Sequence, residues 1–230
     1  MEQNAQNNYL IPVAIVIAGS FVAAAIYFGA GSKGPTQAVG VNNPASQINI
    51  APVTEKDHII GSRDAALVIV EYSDTECPFC KTFHNTMKEV VKTYDGQVAW
   101  VYRHFPIAQL HERATKEAEA TECAAELGGN QSFWNYLDKI FETTNSNDSL
   151  DPAELPKIAA AVGLDVTAFN TCLSSGRHNE FVRKSVEEAV RAGALGTPYS
   201  VIIAKDGRKV VINGAEPLAN IKLNIDALLE

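Results

Sequence analysis

At 230 residues, 46% hydrophobic and 20% charged, the chain can bury one ordinary core with an extension or an insertion, and disorder is not its default. Its net charge of −8, without a Lys/Arg run or basic-aromatic interleaving, excludes the usual footprint of a nucleic-acid binder. Four cysteines, Cys77, Cys80, Cys123 and Cys172, allow three pairings and alone decide neither compartment nor role.

Residues 1–8 are a short flank. No residue from Gln3 to Ser32 is charged, and Tyr9–Ala30, YLIPVAIVIAGSFVAAAIYFGA, is a continuous apolar run. As a helix it would rise roughly 33 Å, enough to cross a hydrocarbon core of about 30 Å. Pro12 falls in the first turn, and Tyr9 and Tyr27 lie near the two interfaces. A cleaved signal would have a shorter apolar stretch, a basic lead and a small-residue cleavage site. The run is therefore expected to be an uncleaved single-pass anchor over residues 9–30. Lys33 hints at a cytoplasmic side for the chain beyond the anchor; the cysteines argue for the other side. Residues 31–57, rich in Gly, Pro, Asn, Ser and Gln, read as a flexible linker.

A folded domain is expected over 58–230. Ala65–Tyr72 reads as a buried central strand. Phe79, Phe83, Met87, Val90 and Val91 then keep helical spacing. QVAWVYRHFPI is a second strand, ended by Pro106. From about 109 to 191 the pattern is helical: Ala114, Ala118 and Ala125 share a face, Gly128 looks like a stop, and Phe133, Tyr136, Leu137, Ile140 and Phe141 line another face. Asp151 and Pro152 make an N-cap and first turn. Two strands return in YSVIIAKDGRKVVIN, with Asp206-Gly207 as the hairpin signal, and PLANIKLNIDALLE closes as an amphipathic helix. The fold class is α/β, with a helical block inserted into the sheet motif.

The chemistry concentrates in EYSDTECPFCKTFH, residues 71–84. Cys77 comes after a strand and heads a helix, where free N–H groups and the helix dipole favour an anion. The thiolate is the nucleophile, and such a position lowers its pKa. Pro78 has no N–H to lose in a first turn. Cys80, nearly one turn on, can close a small disulfide loop. Cys77 is assigned as the exposed attacking sulfur and Cys80 as the sheltered resolving one. The alternatives are a metal site and a purely structural loop. A structural zinc site wants four ligands. His84 could share a face with Cys80, but a lone helical histidine is more often at the surface, and Cys123 and Cys172 form no second C-x-x-C. No metal and no cofactor are expected.

VIVEYSDTECPFCKTFH, the helical block and GALGTPYSVI near residues 193–202 together resemble the DsbA-like thiol:disulfide oxidoreductases of the thioredoxin-fold superfamily, over about residues 58–230. The resemblance implies a thioredoxin fold with an inserted helical domain. It also implies a redox pair, Cys77 and Cys80, serving cysteine-containing exported proteins and a membrane or envelope redox partner. Glu71 matches the position of a buried carboxyl that handles the Cys80 proton. Pro198 matches the cis-proline facing the active site, leaving the Thr197 backbone to pair with an extended substrate. Pro78, Phe79 and Thr197 would meet the substrate. Oxidising members often carry histidine where Phe79 stands, so the direction of electron flow stays open. From the residues alone, Cys123 and Cys172 read equally as inert thiols or as a clamp on the helical block. Similar pairs in relatives imply the disulfide, and a disulfide implies an extracytoplasmic domain on a bacterial cytoplasmic membrane. A reductase or isomerase, or less readily a metal-delivery module on Cys77 and Cys80, is the competing function.

Overall fold

The computed structural model describes residues 48–230. The expected flank and anchor, residues 1–30, and the linker up to 47 lie outside the described residues. No helix among the described residues is long and apolar enough to cross a membrane.

Five strands form one sheet in the order β1-β3-β2-β4-β5: β1 His58–Ile60, β2 Leu67–Ser73, β3 Val98–His104, β4 Tyr199–Ala204 and β5 Lys209–Asn213. β2 runs parallel to β3, with Glu71 opposite Tyr102, and antiparallel to β4, with Glu71 opposite Ser200. The helices are α1 Pro78–Thr93, α2 Ala114–Thr143, α3 Leu155–Ala161, α4 Val166–Ser175, α5 Asn179–Arg191 and α6 Leu218–Leu229.

β2 and β3 are apolar on both faces because both faces are covered. On one side Leu67, Ile69 and Trp100 meet Phe83, Met87 and Val90 of α1 and Ile221 and Ile225 of α6. On the other, Val70, Tyr72 and Val101 meet Ala189 of α5. A separate core, with Tyr136, Ile140, Ile158 and Phe169, fills the helical block. Each fully buried large side chain contributes about 1.5–3 kcal/mol, so the central strands anchor the domain.

Three sequence expectations shift. Residues 48–57 are not tether: Ile48, Ile50 and Val53 pack on the α5 side of the sheet. Arg103 fastens this segment, donating to Asp57 Oδ1 at 2.7 Å and to the Ala51 and Pro52 carbonyls, while also pairing with Glu188. β1, too short to leave a period in the sequence, adds an antiparallel edge to β3. The break in α2 falls at Gly129, φ +71°, where a side chain would be strained. Gly128 is still needed, since a Cβ there would meet Ser132 Oγ at 2.0 Å. Asp151 does cap the short helical turn Pro152–Glu154, accepting from Ala153 N at 2.9 Å.

Cys123 of α2 and Cys172 of α4 are joined in a disulfide spanning 49 residues of sequence. They also bring His178 into donor range, but both sulfurs are already committed to each other. On the chain-entropy account, closing such a loop stabilises by about 4 kcal/mol. In a background with Cys77 and Cys80 replaced by Ser, Cys123→Ala/Cys172→Ala should lose about that much unfolding free energy in urea, with a larger m because the unfolded chain is no longer cross-linked.

Candidate active site

Cys77 is the N-cap of α1, with extended φ/ψ, and Pro78 takes the first helical position. The helix therefore begins where the strand-to-helix turn delivers a sulfur. Both cysteines are unlinked thiols. Cys77 keeps 5% of its surface and Cys80 none, so even the outer sulfur is largely enclosed. Phe79 between them is 65% exposed.

The sulfurs sit in different surroundings. The Cys80 thiol is the largest influence lowering Cys77, which lies at about 6 despite burial; Thr197 and the backbone N–H groups of Cys80 and Phe79 contribute. Cys77 Sγ also lies 3.5 Å from the Thr197 carbonyl oxygen, which precedes the cis Thr197-Pro198 bond. Burial pushes Cys80 well above the ordinary thiol range, and the adjoining Cys77 and Glu71 charges push the same way.

Glu71 is fully buried on β2, on the face below the redox pair. Trp100 Nε1–H donates to its Oε2 at 2.8 Å, while Oε1 has no partner. Burial raises its carboxyl to about 7. Ser73 Oγ and Ser200 Oγ, on the same strand face, and Tyr102 Oη are also buried without partners. Such a group can hold a proton near neutral pH beside a sulfur that must gain or lose one.

The preceding turn, Asp74–Glu76, is built from inside. The Asp74 N–H donates to Cys80 Sγ at 3.4 Å, and its carbonyl accepts from Cys77 N. The Asp74 carboxylate accepts from Glu76 N, Ile107 N and His111 Nδ1. Glu76 accepts from Thr144 Oγ1, Ser149 N and Leu150 N, binding the helical block to the turn. Ser146, Asn147 and Asp148 all take positive φ there, a strained path that Asp148 supports by accepting from Glu112 N and Arg113 N. Glu117, buried beside Glu76, is raised to about 8, first by burial and then by its acidic neighbours. His84 is buried, not superficial, and its Nε2 lies 2.6 Å from Asp138 Oδ1.

The structure thus brings Cys77, Cys80, Glu71, Pro78, Phe79, Thr197 and Pro198 to one end of the sheet, with Cys123 and Cys172 apart in the helical block. Asp74, Glu76, Glu117 and His111 were missed. The only hint was an unbroken polar run, Ser73–Glu76, between an apolar strand and the cysteines; the partners of that run are distant in sequence.

A thioredoxin family model matches residues 53–225. The Na(+)/H(+) antiporter NhaA 3 of Salinispora tropica is 34% identical over 144 residues, 63% of this chain and 21% of that protein. The chain spans about a fifth of the length of the curated relatives it matches. The crystal structure of Pseudomonas aeruginosa DsbA2 superposes with a TM-score of 0.67 at 28% identity, over 77% of this chain and 97% of that one. Oxidised BdbD from Bacillus subtilis superposes at 0.68 with 20% identity, over 80% and 98%, a likeness of fold.

Two titrations check these surroundings. Thiolate absorbance of the reduced protein should show a midpoint near 6, and Cys80→Ala should move it upward. Folding favours protonated Glu71, so its contribution to stability is fullest at low pH and falls as pH rises from about 4.5 through about 7. The loss is about 3 kcal/mol. Glu71→Gln should flatten that slope and be the more stable protein at pH 8, measured by urea unfolding across pH.

Proposed function

Because the chain belongs to the thioredoxin family and carries a DsbA-like thiol:disulfide oxidoreductase domain, we propose that it oxidises cysteines of exported proteins through Cys77 and Cys80. The observation that carries this reading is the asymmetry of the pair: a low-pKa sulfur at the helix head beside Thr197, and a fully buried high-pKa sulfur beside a carboxyl.

In the proposed cycle a substrate thiolate attacks Cys77 Sγ of the Cys77–Cys80 disulfide. A substrate–Cys77 bond forms as the intramolecular bond breaks. Cys80 leaves with the electron pair and takes a proton, which Glu71 can supply. A second substrate thiolate then attacks the substrate sulfur, and Cys77 departs as a thiolate. The substrate loses two electrons and the pair gains them. A sulfur with a pKa near 6 leaves readily, and its stabilised thiolate favours the reduced site, so a disulfide here tends to oxidise others. Helix-head stabilisation thus supports the oxidising direction although Phe79 carries no charge.

Exposed apolar surface near the site supports a protein substrate. Leu195, 99% exposed, lies two residues before Thr197 and borders a groove of about 430 Å³ lined by Phe105, Ile107, Val182, Val186 and Val190. An extended chain pairing with the Thr197 backbone, across Pro78 and Phe79, could rest its side chains there. The Cys123–Cys172 disulfide supports an extracytoplasmic domain, and the uncharged run Tyr9–Ala30 supports tethering to the bacterial cytoplasmic membrane. Ion transport is not carried over from the antiporters, since the likeness covers only a fifth of them.

The test is Cys80→Ser in membranes. It should accumulate mixed disulfides at Cys77 with exported proteins, resolved by dithiothreitol, and Cys77→Ser should accumulate none. Absence of adducts would defeat the transfer mechanism; cytosolic partners would defeat the proposed location.

A further inference from the structure

Neither Pro78 nor Phe79 can stabilise a Cys77 thiolate by charge, and the Lys81 ammonium is directed to the Thr144 carbonyl. The basic group that the fold does bring to the turn is His111. It stands in the loop between β3 and α2, fixed by Leu110 N and His111 N donating to the Ile107 carbonyl. It is 6% exposed. Its Nδ1 lies 2.9 Å from Asp74 Oδ2, a pure acceptor when ionised, so that nitrogen carries the hydrogen. The Asp74 main chain touches both halves of the redox pair, its carbonyl accepting from Cys77 N at 3.2 Å and its N–H donating to Cys80 Sγ at 3.4 Å.

We propose that His111 is a positioning and charge-compensating residue of the redox pair: as an imidazolium on Asp74 it cancels the carboxylate three residues before Cys77 and supplies the positive charge absent between the cysteines. Without it a buried carboxylate would face a forming thiolate, and like charges in a dry site oppose one another. With it, the Asp74 charge is cancelled and the added thiolate has a cation in the same cluster. Burial works against the charged ring, but Asp74, the Cys77 charge and Asp148 outweigh it and raise His111. The groups facing this centre are Asp74 and Glu76 from the turn, Cys77 at the head of α1, Asp148 from the loop after α2, and Glu117 of α2, which is coupled to the same Asp74. On its own segment the Arg113 guanidinium is occupied by the Asp148 and Leu150 carbonyls. Coupling between sites is reciprocal, so a thiolate that His111 favours must in turn favour His111 protonation.

This inference rests on the oxidoreductase reading and is tested separately from it. The His111 ring protons of the unmutated protein are titrated by NMR as dithiol and as Cys77–Cys80 disulfide. The midpoint should be higher in the dithiol; equal midpoints would overturn the proposal. His111→Asn keeps a donor without charge, and His111→Lys restores charge without the ring. Asn should raise the Cys77 thiolate midpoint by about one unit and shift the glutathione equilibrium toward the protein disulfide by up to about tenfold. Lys should recover most of both. Equal shifts in Asn and Lys would mark a structural role and overturn the charge assignment. If His111→Asn in a Cys80→Ser background still traps partners, the transfer chemistry stands whatever the titrations show. If Cys80→Ser traps none with His111 intact, the oxidoreductase reading fails by itself.

Discussion

A sulfur anion held inside a nearly dry protein needs compensation from several directions, and much of this domain's architecture supplies it. Water cannot solvate Cys77 freely at 5% exposure. The free N–H groups of a helix head, a neighbouring thiol and Thr197 must do so instead. That requirement explains why α1 starts at Pro78, why β2 ends in a polar run beneath apolar flanks, and why the loops after β3 and α2 both converge on the two residues Asp74 and Glu76.

The price of this arrangement is a dense set of buried acids. Glu71, Asp74, Glu76 and Glu117 all lie within the protein near one another. Their solutions differ. Asp74 is bonded to two backbone N–H groups and an imidazole, and Glu76 to two N–H groups and a hydroxyl. Glu71, with a single donor, and Glu117, with both oxygens unpartnered, are instead pushed up to about 7 and about 8 and can hold protons. Protonation and hydrogen bonding are two answers to the same desolvation problem, and only the first leaves a proton to move.

Features written in local pattern were legible in the sequence. Unbroken β-branched runs gave β2 and β3, Asp206-Gly207 gave the β4–β5 hairpin, and C-P-F-C at a strand–helix junction placed one cysteine at a helix head and the other a turn inside it. Thr197-Pro198 and Glu71 were placed through a resemblance, not through their own signal. What was not legible depends on chain segments meeting at a distance. β1 spans only His58–Ile60, and a three-residue strand has no period to read. His84 looks like a surface histidine until Trp100 and Phe141 close over it. His111 lies 37 residues from Asp74, and no spacing rule links a loop histidine to a turn carboxylate.

Arg103 illustrates a last property of the fold, which concerns load rather than chemistry. Its guanidinium grips the Ala51 and Pro52 carbonyls and Asp57 on the incoming segment, and Glu188 of α5 on the far side, while its backbone is locked in β3. A pull on the chain ahead of residue 48 would meet this grip before it reached the short β1 edge. The side chain behaves as a cleat: tension is passed sideways into α5 and the centre of the sheet, and the hydrogen bonds of the edge strand are not unzipped one by one. A domain held in this way takes a tug from its N-terminal side on the α5 face of the sheet, while the sulfurs pack against the opposite face.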